Sequence, residues 1–316
     1  MANLTMRCCV IGGTGFLGSS LIPSLLRSGR EVVVIGRSAV PIRTLPPSVT
    51  YISMGIEDRL QLRSVLADVD ELIDLSYATV PQTSYTDPIF DIRSNLPPSI
   101  GLLEEVRNTN IRRFIVVSSG GTVYGPAYSI PIKEDSPTNP ISPYGITKLT
   151  IEKYSLMFFR LYAVPVIVVR PSNAYGVGQK LFSGQGFIAT ALAAILEDRE
   201  VPVFGEQGTI RDYIHVKDVA KGILGALEFA QVGEIYNIGS GIGRNNFDVL
   251  NTIAEICTQY GKKVRVKPLP SRGFDVLSNV LDSGKLTSCS GWIPRVDFKE
   301  GVLEVWKMME NAKRYD

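Results

Sequence analysis

The sequence predicts an α/β protein: a doubly wound parallel Rossmann sheet carrying a smaller, interwoven C-terminal substrate-binding lobe. Three observations predict it. A glycine-rich turn near the N-terminus separates a short apolar run from a helical pattern. Strand-like and helical patterns then alternate as far as residue 170. Beyond that point, short strands and helices return in a different rhythm.

Cys8-Cys9-Val10-Ile11 is short and wholly apolar, as suits a parallel strand buried on both faces. Glycines 12, 15 and 18 follow, overlapping a helical segment from 16 to 27 with Leu17, Leu21, Ile22, Leu25 and Leu26 on one face. A second strand is expected at 31–35. Further strands are expected at 49–54, 70–76, 113–118 and 165–170, with helices near 58–67, 95–108 and 144–162 between them. That alternation specifies right-handed crossovers and a parallel sheet. Pro- and Gly-rich stretches at 124–143 and 170–186 read as long loops at strand C-terminal ends, where ligands of open parallel sheets collect. Later strands are expected around Tyr213-Ile214 and at 234–238, with helices near 186–197, 216–230 and 246–260. The resulting division gives residues 1–170 to a dinucleotide-binding domain, with 211–238 woven back into it. Residues 171–210 and 239–316 form the substrate-binding lobe. Trp292-Ile293-Pro294 reads as core.

Composition narrows the function. The chain has 316 residues and a formal charge of +2, which offers no general electrostatic case for nucleic acid or an anionic membrane. Its longest apolar stretches, such as 164–169, are of strand length and far short of a membrane span. The first six residues lack the charged start and apolar core of a signal peptide. Cysteines 8, 9, 257 and 289 have no Cys-x-x-Cys spacing and no histidine partners, so neither a metal site nor a disulfide framework is expected. A reducing cytoplasm fits best.

The glycine turn suits a dinucleotide pyrophosphate. Glycines let the backbone turn tightly and approach the phosphates, and the helix N-terminus offers free N–H groups and partial positive charge. An NAD enzyme normally ends its second strand with Asp or Glu for the adenosine ribose. Here Gly36, Arg37 and Ser38 stand there. The missing carboxylate removes repulsion against a 2′-phosphate and Arg37 offers it a forked donor, so NADP is favoured over NAD.

Tyr144 and Lys148 are four apart at a helix start, so both project from one face, and Pro140 and Pro143 suit the helix entry. Free tyrosine is nearly useless as a base at neutrality; a neighbouring ammonium and the positive nicotinamide ring would favour its phenolate. Lys148 could also hydrogen-bond the nicotinamide ribose.

The chain resembles the extended short-chain dehydrogenase/reductases of the nucleotide-sugar epimerase/dehydratase group over essentially its full length. The resemblance rests on 12–18 (GGTGFLG), 118–125 (SSGGTVYG), 142–148 (SPYGITK), 170–176 (RPSNAYG), 211–216 (RDYIHV) and 236–241 (YNIGSG). It implies that Gly12, Thr14, Gly15, Phe16, Leu17, Gly18, Arg37, Ser38, Ile56, Tyr144 and Lys148 face the cofactor. It implies Tyr144 as acid/base with Lys148 as its partner, and Asn173, Arg211 and Arg272 on the nucleotide diphosphate of a sugar substrate. Tyr124, beside the substrate loop, is a further candidate either for stacking or hydrogen bonding a ligand or for packing. A helix-bundle homodimer is implied as well.

Three departures from the family pattern stand out. The family's catalytic Ser or Thr falls on Gly120, leaving Ser119 or Thr122 to supply the hydroxyl. Gly121-Thr122 replaces the Asp-Glu pair of 4,6-dehydratases, which need an extra acid and base to expel water. Met54-Gly55-Ile56 stands where an adenine-contacting Asp is usual. His215, the sole histidine, is expected to be structural, and Asn95 either to cap a helix or to lie near the cofactor. Three activities fit: a 4-epimerase working through a 4-keto sugar, an NADPH-dependent 4-keto-sugar reductase, and a non-catalytic NADP-binding sensor or scaffold.

Overall fold

The computed structural model describes residues 5–179, 186–206, 208–271 and 276–315. The N-terminal half runs β1 (Arg7–Ile11), α1 (Phe16–Arg27), β2 (Glu31–Gly36), β3 (Thr50–Ser53), α2 (Arg59–Leu66), β4 (Glu71–Asp74), α3 (Pro81–Thr86), α4 (Pro88–Val106), β5 (Arg113–Val117) and α5 (Pro143–Tyr162). It continues through β6 (Val166–Pro171), β7 (Asn173–Tyr175), α6 (Phe187–Leu196), β8 (Val201–Phe204), β9 (Ile210–His215), α7 (Val216–Phe229) and β10 (Ile235–Ile238). The last elements are β11 (Gly243–Arg244), α8 (Asn246–Thr258), β12 (Val266–Leu269), β13 (Ser278–Asn279), α9 (Gly284–Ser290) and α10 (Phe298–Tyr315).

Seven strands form one sheet in the order β10-β6-β5-β4-β1-β2-β3. All its neighbours are parallel. Because a strand's side chains alternate, Cys8 and Val10 enter the core under α1 and α7, while Cys9 and Ile11 enter the core under α2, α4 and α5. Burial on both faces explains why these strands read as unbroken apolar runs. The strand order reverses between β1 and β4, which opens a crevice beyond their C-terminal ends. A third core packs α6, α8 and α10 through residues such as Leu192, Ile253 and Trp306. Trp292 is core, and its indole N–H donates to the Asp218 carbonyl at 3.1 Å.

The segment 211–238 divides. α7 and β10 return to the large sheet, but β9 joins β7, β11 and β13 in a separate small sheet. The helix expected at 95–108 starts at Pro88, capped by Asp87, whose carboxylate accepts from the Phe90 amide at 2.8 Å. Asn95 is therefore no cap. It lies buried inside α4, accepting from the Ala78 amide at 2.7 Å.

Candidate active site

The cofactor cleft is built first by backbone. Gly12 has φ +73°, and a Cβ there would stand 3.1 Å from the Ser76 amide nitrogen, so the glycine provides both the turn and the close approach to β4. Gly15 forms the N-cap of α1 without any side-chain hydrogen bond, so the first amides of the helix stay open to an anion. Gly18 serves another purpose. A Cβ there would run into the Gly13 carbonyl oxygen, so the glycine lets α1 pack on its own turn. A cleft of about 290 Å³ opens beyond, lined by Gly12, Thr14, Gly15, Arg37, Ser38 and Ile56 from the expected set. Phe16, Leu17 and Gly18 head α1 behind that wall, with Leu17 packed against the core.

The adenosine end has a local explanation. The Tyr51 hydroxyl donates to the Ser38 carbonyl at 2.7 Å, and a Cβ on Gly36 would approach that same hydroxyl oxygen to 2.7 Å. Tyr51 thus occupies the space an acidic side chain at 36 would need, and Arg37 stands exposed at the cleft mouth. Glu57, Ser76, Tyr77 and Asn95 also line the cleft. An uncapped helix N-terminus, glycine backbone beneath it and an apolar wall at Met54 and Ile56 fit a dinucleotide.

The reactive end is set by α5. Ser142 caps the helix, accepting from the Gly145 amide at 3.1 Å, and Pro143 occupies the first helical position. The Tyr144 amide donates to Ser84 Oγ at 3.1 Å. The Ser119 hydroxyl neighbours the Tyr144 phenol and favours its ionised form. Burial pushes the phenol up, the Asp91 carboxylate adds to that rise, and the Ser119 hydroxyl opposes it. The Lys148 ammonium sits 5.9 Å from the centroid of the Tyr144 ring, donates to the Val117 carbonyl at 2.9 Å and lies 3.9 Å over the Tyr77 ring. Burial lowers Lys148 to about 8, against the pull of Asp74, Glu152 and Asp91.

Of the two hydroxyls left open by the sequence, that of Ser119 acts on the phenol. Thr122 Oγ1 is buried without a hydrogen-bond partner among the described residues. A Cβ at Gly120 would point into Leu281 at 2.5 Å and the Arg170 carbonyl at 3.0 Å, so that position faces the interior and withholds no hydroxyl from the site. Gly121 faces Asn173, whose Oδ1 would lie 3.3 Å from a Cβ there and is itself buried without a partner among the described residues.

Asn173 on β7 and Arg211 on β9 lie on paired strands. Arg272 falls outside the described residues. Tyr124 is corrected from ligand contact to core: it is 1% exposed, its hydroxyl donates to Asn237 Oδ1 at 2.7 Å, and its ring carries the Arg170 guanidinium at 4.7 Å. His215 is structural, as expected: its Nδ1 accepts from the Lys217 amide at 3.3 Å and caps α7. Asp91 carries no signal in the sequence. Fully buried on α4, it accepts from the hydroxyls of Thr79 and Thr147, the latter at 2.6 Å.

The model of the NAD-dependent epimerase/dehydratase family matches residues 8–239. The chain belongs to this family. A UDP-glucose 4-epimerase of Mycolicibacterium smegmatis is 30% identical over 318 residues, covering 98% of this chain and 100% of that one. The UDP-glucose 4-epimerase of Thermotoga maritima, solved with UDP-glucose, superposes with a TM-score of 0.90 at 30% identity, covering 98% of this chain and 100% of that one. The Thermus thermophilus UDP-glucose 4-epimerase, solved with NAD, gives 0.88 at 30% identity, covering 97% and 100%. The seven-stranded parallel sheet found here is thus the family's Rossmann architecture.

Proposed function

We propose that the protein is a nucleotide-sugar 4-epimerase working through a transient 4-keto sugar. The observation that carries this reading is the Tyr144 ring packed on Tyr77 in the wall of the dinucleotide cleft, with Ser119 beside its phenol, in a chain whose relatives include UDP-glucose 4-epimerases. When bound, the oxidised nicotinamide supplies an acceptor for the C4 hydrogen with its electron pair, and its positive charge favours the Tyr144 phenolate. Tyr144 Oη takes the proton of the C4 hydroxyl and later returns it. Ser119 Oγ holds the oxygen that becomes the carbonyl. Asn173 and Arg211 grip the nucleotide diphosphate, and the glycine wall at 120–121 leaves the hexose room to turn before the hydrogen returns to its other face. The loop 118–125 contains no carboxylate. It therefore lacks the additional acid and base that expulsion of water requires, which sets epimerisation above dehydration.

The family is described as NAD-dependent; for this chain Gly36, Arg37 and Ser38 support NADP. The partner is a second copy of the chain, joined through α4 and α5. Among the described residues no helix is long and apolar enough to cross a membrane. The free thiols of Cys8, Cys9, Cys257 and Cys289 suit a reducing compartment, the cytoplasm.

The test is inversion at C4. UDP-hexoses incubated with purified protein and no added reductant should interconvert, followed by NMR of the anomeric protons. Tyr144→Phe should lower kcat by a factor of about 10²–10⁴ while retaining the dinucleotide. Full activity in that variant rejects the assignment. Stoichiometric consumption of NADPH by a keto sugar, without interconversion, makes the protein a reductase.

A further inference from the structure

Tyr77, in the loop that follows β4, touches both reactive side chains. The Lys148 ammonium stands 3.9 Å from its ring centroid. The Tyr144 ring meets it edge to face, with centroids 4.9 Å apart and planes at 68°. Its own hydroxyl is 3.4 Å from Asp91 Oδ1, a long contact beside the 2.6 Å bond from Thr147 to the same carboxylate. The Tyr77 ring also lines the cofactor cleft, whereas Lys148 is buried behind it and forms no part of that wall.

A buried ammonium is costly unless its charge is held, and an aromatic face in a desolvated setting holds it well. We propose that Tyr77 is a positioning residue: its ring seats the Lys148 ammonium and the Tyr144 ring side by side and forms the surface between them and the nicotinamide end of a bound dinucleotide. The proposal rests on the placement of Lys148 at the reactive end of the site and not on which sugar is turned over. The ring carries the role rather than the hydroxyl, because the hydroxyl's contact to Asp91 is long beside the bond from Thr147.

The charged groups around Lys148 come from several elements: Asp74 from β4, Asp91 from α4, and Glu152 and Tyr144 from its own helix. The three carboxylates favour the ammonium, as the ring does, while burial opposes it. Removing the ring removes one support, so the ammonium loses its proton at lower pH. Dinucleotide binding that uses the ammonium is strong below that pH and weakens above it.

The experiment is a titration of cofactor-stripped protein with NADP and with NAD between pH 6.5 and 9.5, comparing the parent with Tyr77→Phe and Tyr77→Leu. No sugar is needed, so failure of the epimerase reading leaves the result intact. In the parent and in Tyr77→Phe, Kd should weaken with a midpoint near pH 8. In Tyr77→Leu the midpoint should fall by about one pH unit, with Kd about fivefold weaker at pH 8. If Tyr77→Phe behaves like the leucine variant, the hydroxyl and not the ring does the positioning, and the proposal fails. It also fails if all three proteins share one curve. Should Tyr77→Leu not fold, Tyr77→Met replaces it with the same expected shift.

Discussion

At the scale of single residues, the cofactor pocket shows how a substitution and its neighbour act together. An acid does not fit at position 36 as the pocket stands, because the Tyr51 hydroxyl, tied to the Ser38 carbonyl at 2.7 Å, fills the space. Arg37 is exposed and unconstrained by that packing. Arg37→Glu should therefore fold normally and reverse cofactor preference, by about 1.5–3 kcal/mol for loss of a charge-assisted hydrogen bond alone. Kd values for NADP and NAD measured on both proteins check it, and an unchanged ratio rejects the role given to Arg37. Such residues are legible in the sequence because their chemistry is local: a missing carboxylate beside a new arginine, or a tyrosine and lysine four apart. The choice of Ser119 over Thr122 is not legible. It depends on which way two nearby turn residues face, and Leu281, far along the chain, helps to set that. Asp91 and Tyr77 escape a sequence reading for a related reason. Each is unremarkable in sequence and becomes part of the site only when α4, β4 and α5 converge.

At the scale of elements, long periodic segments are legible and unusual ones are not. α1, α5 and the strands of the large sheet fall within a few residues of their expected bounds. α4 begins earlier than expected although Pro97 and Pro98 sit inside it, removing two amide donors that a helix normally needs. Tertiary support overrides them: the buried Asp91 and Asn95 tie its first turns to the loop after β4. β9 pairs in a different sheet from the one expected, since an apolar run cannot say which neighbour it will meet. α7 offers an element-scale prediction. His215 caps it through Nδ1, and burial holds the folded imidazole below its ordinary 6.5. Between 6.5 and the lower folded value the unfolded chain binds a proton that the folded chain does not, so stability falls as pH drops through that window. Glu304, 3.6 Å from Nε2, moderates the effect without reversing it. His215→Asn keeps a capping acceptor and removes the titration. Thermal unfolding from pH 8 to 5 should show a shallower decline in the variant than in the parent. Because the chain has one histidine, the difference belongs to that group. Parallel curves would mean that the cap does not titrate.

At the scale of the whole molecule, the two helices that deliver the reactive end of the site also leave apolar side chains exposed. α4 and α5 pack against each other. Ile89, Phe90 and Ile92 on α4 and Ile146, Met157 and Leu161 on α5 are nevertheless exposed, Leu161 by 63%. On α5 these residues, with Tyr154, recur at intervals of eight, three and four, which is one helical stripe. An apolar stripe of this kind on a protein surface needs a cover, and a self-complementary patch generates a closed two-fold pair. The same helices hold the frame of the site from the other side: Asp91 and Asn95 on α4, Tyr144 and Lys148 on α5. Pairing would thus stiffen the helix start that aims the phenol. Sedimentation equilibrium at micromolar concentration should return twice the 34.6 kDa chain mass. The double variant Phe90→Glu, Leu161→Glu should return the single mass, with its α/β circular dichroism retained. Its kcat should fall more than its dinucleotide affinity, because Tyr144 lies at the start of one of the paired helices while α4 supplies only part of the cleft wall. A parent that sediments as a monomer would remove the argument at its first step. A monomeric variant with full kcat would leave the pairing intact but sever it from the chemistry.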